Sequence, residues 1–148
     1  MLDDRYDVKT APDLTSFEFD SIGPKGTVSK VVRYTEINLR SFYNLGFGDK
    51  DKLTGFVSDL TVTNNNDSQK VLATVAATLY AFTAAYPGAT IIATGSTEAR
   101  TRLYRIGIAN NLETIKLDFE VLGLTAESEW EPFRKSTTYG AFLVTRKS

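Results

Sequence analysis

Cysteine and histidine are both absent from the 148 residues of this chain. Their absence excludes disulfides, thiol nucleophiles, imidazole acid–base catalysis and the usual zinc, copper and haem ligands. Any chemistry must therefore come from carboxylates, tyrosine, lysine, arginine, hydroxyls or the backbone. Composition leaves oxygen-ligated magnesium or calcium open. The polar runs at residues 49–51 and 64–67 lack the calcium-loop pattern, however, and are interpreted as turns. We assign no metal and no cofactor.

The chain also lacks a strong net charge and a long apolar run. Its 17 basic and 18 acidic residues leave a formal charge of -1, which disfavours general nucleic-acid binding. The most apolar stretch, Val71 to Ala85, is interrupted by threonines and is too short for a bilayer span. Asp3, Asp4 and Asp7 make the N-terminus acidic, the opposite of a signal peptide. We expect a cytoplasmic protein with no membrane partner.

With 42% hydrophobic and 24% charged residues, the composition is that of an ordinary globular protein. We expect one domain over residues 15–148, preceded by a loosely ordered lead-in over residues 1–14. Alternating and helical apolar patterns predict the order ββββαβαββ. Strands are expected around Phe17 and Phe19 and at about 27–38, 42–47, 54–63, 89–94, 115–121 and 139–146, and helices at about 67–86 and 97–109. Residues 123–137 are expected to be irregular, with one short helical turn.

Strands on both sides of each predicted helix permit a β-α-β crossover. The sequence therefore predicts an α+β (mixed α/β) fold, with a mostly antiparallel mixed sheet of six or seven strands and two main helices. Two further residues stand out in this pattern. Lys30 interrupts the apolar pattern of the second strand, and the polar run before the first helix offers helix caps at Asp67 or nearby.

The most informative segment is the turn Gly95-Ser96-Thr97, which joins an apolar strand to a helix that carries Arg100, Arg102 and Arg105. The first N–H groups of a helix lack internal partners and the helix dipole is positive there, so such a turn can hold an anion. The segment matches neither the phosphate-binding loop nor the dinucleotide-binding pattern. Simple capping by Ser96 or Thr97 is the competing interpretation, and we favour it about two to one because such caps are common.

Helical spacing divides the three arginines. At roughly 100° per residue, Ala99, Leu103 and Ile106 are expected to form the buried stripe, with Arg100 on one border and Arg102 on the other. Glu98 lies four residues before Arg102 and is expected to pair with it. The anion hypothesis therefore retains Gly95, Ser96, Thr97 and Arg100, and Arg102, Tyr104 and Arg105 are secondary candidates.

Asp59 is a further secondary candidate, because it shares a strand face with Val57 and Thr61, and a half-buried carboxylate can act as a general acid or base. A satisfied structural carboxylate is the commoner case. The tyrosines allow two interpretations as well: with arginine they form a stacking surface for nucleotides, or they pack in the core with their hydroxyls at the rim. The second is the more usual role for Tyr34, Tyr43, Tyr104 and Tyr139.

The chain resembles a family of small uncharacterised bacterial proteins that is known only as a domain of unknown function. The resemblance covers roughly residues 15–146. It implies a bacterial, cytosolic setting and carries no activity. It rests on Ile22-Gly23-Pro24-Lys25-Gly26, on Asn44-Leu45-Gly46-Phe47-Gly48-Asp49, on residues 64–67 followed by Lys70-Val71-Leu72-Ala73-Thr74-Val75, and on Gly95-Ser96-Thr97 with Arg100-Thr101-Arg102-Leu103-Tyr104.

Two functions are consistent with these residues. The first is a non-enzymatic binding or interaction module that holds a small anionic or phosphorylated ligand at the Gly95 turn, with a protein partner or a homo-oligomer as further options. The second is an enzyme that acts on a phosphorylated or nucleotide substrate, with Asp59 or a tyrosine as the acid–base group and Arg100 stabilising charge. The absence of cysteine and histidine favours the first, and we name no catalytic residue.

Overall fold

The backbone is organised around one mixed sheet, as seen in a computed structural model that describes residues 4–51, 53–54, 63–95 and 97–147. Its strands are β1 (Lys9–Thr10), β2 (Ser16–Gly23), β3 (Gly26–Glu36), β4 (Phe42–Asp49), β5 (Thr90–Ala93), β6 (Phe119–Leu124), β7 (Trp130–Pro132) and β8 (Phe142–Arg146). The helices are α1 (Ser68–Ala85), α2 (Glu98–Asn110) and α3 (Leu112–Asp118).

The strand order is β1-β2-β3-β4-β5-β8-β6-β7. Only β4 and β5 pair in parallel, with Tyr43 opposite Ile91, and every other neighbouring pair in this sheet is antiparallel. A parallel pair requires a crossover, and α1 lies within the connection between β4 and β5. The predicted α+β fold with a mostly antiparallel mixed sheet is confirmed, with eight strands and a third, short helix among the described residues.

In the first hairpin, apolar residues that alternate with polar ones are buried, as the sequence predicts. Phe17 and Phe19 are buried in β2, while the intervening Glu18 is half-buried and Asp20 is exposed. Gly23 pairs with Gly26, so the hairpin closes through a two-residue loop. Gly26 has a φ of 88°, which glycine adopts without steric cost. The last strand, β8, lies between β5 and β6, as expected for an internal strand.

Helix α1 is the main packing element of the core. Val71, Val75, Leu79 and Phe82 recur at helical spacing, and all four are buried against the sheet. Phe82 is fully buried, and its ring stacks on Tyr34 of β3 with 4.2 Å between the ring centroids. The described chain before β2 is attached to this helix, because the Tyr6 backbone N–H donates to Thr74 Oγ1 at 2.9 Å.

Asp67 precedes α1 but does not cap it with its side chain, contrary to the capping role expected there. Its carboxylate instead accepts hydrogen bonds from Tyr6 Oη at 2.5 Å and Ser21 Oγ at 2.6 Å. Two hydroxyl donors from other parts of the chain therefore compete successfully with the helix N–H groups.

The strand predicted over residues 115–121 is wrong in its first half. Residues up to Asp118 form α3, and β6 begins at Phe119. Alternation placed Ile115 and Leu117 on one face, yet Ile115 is 3% exposed and Leu117 is 71% exposed. Leu112, Ile115 and Phe119 also recur at helical spacing, and a short run of this kind satisfies both periods. The helix buries Ile115 and leaves Leu117 exposed, whereas an alternating strand would have buried both.

Two other predicted segments need comment. Most of the strand predicted at 54–63 lies outside the described residues. The region expected to be irregular, 123–137, contains β7, which pairs with β6 through Trp130 and Leu124.

None of the helices in the described part of the chain has both the length and the hydrophobicity needed to cross a membrane.

Candidate functional site

Two described residues of the turn between β5 and α2 have hydrogen-bond partners at the start of the helix. Thr97 is the N-cap of α2, and its hydroxyl accepts a hydrogen bond from the Arg100 backbone N–H at 3.2 Å. The Gly95 N–H donates to Thr101 Oγ1 at 3.0 Å. Capping by Thr97 is therefore confirmed. Ser96, the other residue that was expected to cap or to bind an anion, lies outside the described residues.

Gly95 is required by the close approach of the helix to the turn. A Cβ atom at this position would lie 2.3 Å from Arg100 Cβ and 2.6 Å from the Thr101 backbone nitrogen. Real Cβ contacts do not reach such distances, so no larger residue fits here without moving the first turn of α2. The sequence signal for this constraint is the glycine itself, placed between a strand and a capped helix.

The buried face of α2 differs from the predicted one. Arg100 and Tyr104 are its buried residues, whereas Ala99 is exposed and Leu103 and Ile106 are only half-buried. Apolar spacing alone treats arginine as an outward residue, but an arginine stem can cover apolar surface. The predicted stripe of Ala99, Leu103 and Ile106 is therefore wrong as a description of the core-facing side.

Two clefts flank the start of α2. The first, the Gly95 cleft, has a volume of about 740 Å³, and the second, the α1–α2 cleft, has a volume of about 490 Å³. The Gly95 cleft is lined by Gly95, Thr97, Thr101, Arg102 and Arg105 from the turn and α2, and by Thr125, Thr138 and Gly140 from the chain between β6 and β8. The α1–α2 cleft is lined by Val71 and Leu72 of α1, by Ala99, Arg100, Arg102, Leu103 and Ile106 of α2, and by Lys30.

The helix separates the predicted anion-binding residues. Gly95 lines one cleft and Arg100 the other, while Thr97 and Arg102 line both. The structure therefore brings Arg102 and Arg105 to the Gly95 turn and leaves Arg100 outside that cleft. Helical spacing predicts Arg100 as the arginine beside the turn, with Arg102 and Arg105 secondary. The structure has the opposite arrangement, because the buried face of α2 is rotated from the predicted one.

The predicted ion pair between Glu98 and Arg102 does not form, although the structure describes both residues. Both side chains are exposed at the start of α2. Exposed i,i+4 pairs are worth only about 0.3–0.5 kcal/mol, so the cost of ordering two long side chains can cancel the gain. Arg105 likewise makes no ion pair with any described carboxylate.

Lys30, which lines the α1–α2 cleft, belongs to a buried charged cluster that the sequence did not predict. Lys30 is 1% exposed and donates from Nζ to Asp49 Oδ1 at 2.6 Å and to the Thr63 carbonyl at 2.7 Å. Burial acts to raise the pKa of Asp49, but hydrogen bonds from Lys30 and Thr63 outweigh it and hold that pKa below its usual range. The sequence feature that could have indicated this cluster is Lys30 itself, because it interrupts the apolar pattern of a strand.

The tyrosines proposed as a stacking surface belong to the core. Tyr34, Tyr104 and Tyr139 are buried, and Tyr43 is partly buried against the same core. Tyr104 Oη donates to the Leu45 carbonyl at 3.2 Å, and burial raises the pKa of Tyr104 to about 12. Buried rings cannot stack on a nucleotide, so the core-packing interpretation is correct for them.

Asp59, the carboxylate that the enzyme hypothesis names as its acid–base group, lies outside the described residues. Tyr139 lines the Gly95 cleft, but its hydroxyl donates to Glu131 at 2.7 Å and accepts from the Arg134 N–H at 3.1 Å. Across the described ranges, no three acidic side chains come together to form a group that could hold a metal ion.

Comparison with known proteins places the chain in a family but supplies no activity. Residues 2–147 match the model of a family of unknown function, DUF6934. Since the match covers nearly the whole chain, the protein belongs to this family. The chain matches no curated protein and no solved structure at a significant level.

Proposed function

We propose that this member of DUF6934 is a non-enzymatic binding module that holds a small phosphorylated ligand in the Gly95 cleft. The observation that carries the proposal is the pair Arg102 and Arg105. Both line this cleft, and neither forms an ion pair with a carboxylate in the part of the chain that the structure describes.

The spacing of the two arginines supports an anionic ligand. They are three residues apart on one helix, where like charges repel by about 0.2–0.5 kcal/mol. A phosphate between them would replace this repulsion with charge-assisted hydrogen bonds, which are shorter and stronger than neutral ones. Glu98 is the only acidic residue among the described residues that line the cleft, so its net charge remains positive.

The chain between β6 and β8 supplies a hydroxyl to the cleft. Thr138 lines the cleft and makes no hydrogen bond with a described residue, whereas Thr94 donates to the Gly140 carbonyl at 3.0 Å and Thr101 accepts from Gly95. The start of α2 adds its positive dipole on the same side as the arginines. This arrangement can orient a phosphate, and the described residues that line the cleft offer no positioned acid–base pair, which is why the proposal is binding rather than catalysis.

The proposed setting is the bacterial cytoplasm, in keeping with the resemblance noted from the sequence. The ligand class follows from the cleft rather than from this setting. A volume of about 740 Å³ lies within the usual range of about 300–1,000 Å³ for small-molecule sites.

Titration calorimetry with pyrophosphate and with AMP tests the proposal directly. We expect binding that weakens as salt rises, because charge contacts at an open cleft are screened. Arg105→Ala should weaken binding at least tenfold. Arg40→Ala removes an exposed arginine outside the described lining of the cleft and is the matched control. Equal affinities in the two variants, or no heat with either compound, would contradict the proposal.

A further inference from the structure

The apolar side of α2 that was expected to face the core lies instead along the α1–α2 cleft. Ala99, Leu103 and Ile106 occupy this side, and none of the three is fully buried. Val71 and Leu72 face them from α1 and are themselves largely buried, at 7% and 5% exposure. Two helices therefore turn apolar side chains toward a shared space that the described side chains leave open.

The size of this space suits a small molecule. The cleft has a volume of about 490 Å³. That volume falls within the usual range of about 300–1,000 Å³ for ligand pockets, which are walled mainly by apolar side chains with a few polar groups. The walls favour an apolar body, since burying it removes apolar surface from water.

The polar groups of the cleft favour one negative charge on that body. Lys30 is balanced by Asp49, which bonds it directly. Asp67 also lines the cleft, but the hydroxyls of Tyr6 and Ser21 donate to its carboxylate. Arg102 is an exposed cation of the described lining that pairs with no described carboxylate, so a head group with one negative charge matches it. A carboxylate carries one negative charge at pH 7, whereas a phosphate monoester carries about −1.5 to −2.

Arg102 is the residue placed to receive this charge. It is exposed, it lines the cleft, and it pairs with no described carboxylate. Asp67 does not compete for it, because its carboxylate is engaged by Tyr6 and Ser21. Arginine matches the planar geometry of a carboxylate with two parallel hydrogen bonds.

We infer that the α1–α2 cleft is a second binding site, for an aliphatic carboxylate whose chain lies between Leu72 and Leu103 and whose head group is held by Arg102. The site is separate from the proposed phosphate site, although Arg102 borders both clefts. The inference rests on the apolar walls and does not depend on phosphate binding.

The test uses sodium decanoate as the ligand, below its micelle-forming concentration, and follows binding by titration calorimetry. We expect saturable binding of decanoate, at least tenfold weaker binding of 1-decanol, and none of acetate. Ala99→Trp fills the cleft from an exposed position in the first turn of α2 and should weaken decanoate binding at least tenfold. Leu103→Gln makes the wall polar and should have the same direction of effect, so the test does not depend on one variant folding.

Arg105→Ala is the matched control, because Arg105 lines the Gly95 cleft and is absent from the described lining of the α1–α2 cleft. It should leave decanoate affinity unchanged while weakening pyrophosphate binding, so the failure of either site is seen separately. Absence of saturable decanoate binding would overturn the inference. Equal binding of decanol and decanoate, or decanoate affinity that both cleft variants retain, would also overturn it.

Discussion

Lys30 illustrates how one residue can look misplaced in a strand and still be fully accommodated. Its position on β3 turns the side chain to the helix-covered face, where Phe19 and Asp49 are its cross-strand neighbours. A buried ammonium without a partner is costly, and here Asp49 and the Thr63 carbonyl both accept from it. Removing one partner should therefore be worse than removing both.

Asp49→Asn tests this at the residue scale. It leaves the buried Lys30 charge without a counter-ion, and we expect a loss of about 3 kcal/mol in unfolding free energy at pH 7. The double replacement Lys30→Met with Asp49→Leu should be less destabilising than the single change, because it leaves no unpaired charge. Urea unfolding measures both. A single variant as stable as the wild type would contradict the buried pair.

Acid should reduce the difference in stability between the wild type and Asp49→Asn. The folded pKa of Asp49 is lowered, so its stabilising effect is fully present above the unfolded carboxyl pKa of about 3.9 and is lost as the pH falls through the lower folded value. The stability gap between the wild type and Asp49→Asn should therefore be constant from pH 7 to about 5 and narrow below about 4. A gap that stays constant down to pH 2.5 would mean that charge does not stabilise this site.

Helix α2 shows at the element scale what sequence periodicity determines and what it does not. Its bounds were predicted within a residue or two, because Thr97 provides a cap and Asn110 follows the last periodic position. Its orientation was not predicted. Arg100 and Tyr104 form a face as regularly spaced as Ala99, Leu103 and Ile106, and only contact with the sheet, such as Tyr104 with Leu45, decides between them.

Sequence periodicity was also insufficient to predict α3 and the arginines that line the candidate site. A seven-residue helix with Ile115 as its buried residue carries too few turns for its period to be distinguished from a strand's. The proposed phosphate site lies at the Gly95 turn that the sequence predicted as a candidate, since glycine, a cap and arginines stand together there. Which arginine faces which cleft depends on helix rotation, a tertiary property that local spacing does not encode.

Gly95→Ala tests how closely α2 packs against the turn that precedes it. The added Cβ would meet Arg100 Cβ at 2.3 Å and backbone at 2.6 Å, so the first turn of α2 must move. We expect a loss of about 1–3 kcal/mol, the usual cost of overpacking. Gly88→Ala is the matched control, because its Cβ would meet no atom within 4 Å.

Thermal unfolding of the two glycine variants measures the contrast, and pyrophosphate titration adds a second readout. Movement of the first turn would displace Arg102 and Arg105 together, so Gly95→Ala should also weaken phosphate binding, whereas Gly88→Ala should not. Equal melting temperatures for the two variants would show that the turn accommodates a side chain.

The whole molecule is held together by α1, which contacts both halves of the sheet. Phe82 packs on Tyr34 of β3 and Tyr43 of β4, whereas Tyr80 packs on Phe119 of β6 and donates to Asp118 Oδ2 at 2.8 Å. A single cluster of buried residues runs from Phe17 in β2 to Val144 in β8. The sheet, with its short β5 at the centre, should therefore unfold as one cooperative unit.

Phe82→Ala and the fluorescence of Trp130 test this cooperativity. Phe82 is fully buried, so its truncation should cost about 3–5 kcal/mol. Trp130, the only tryptophan, lies in β7 at the far edge of the sheet from the Phe82 contacts. If the chain folds as one unit, urea transitions followed by Trp130 fluorescence and by far-ultraviolet circular dichroism coincide, and both midpoints fall equally in the variant. A Trp130 transition that stays at its wild-type midpoint would instead identify β6, β7 and β8 as a separately stable unit.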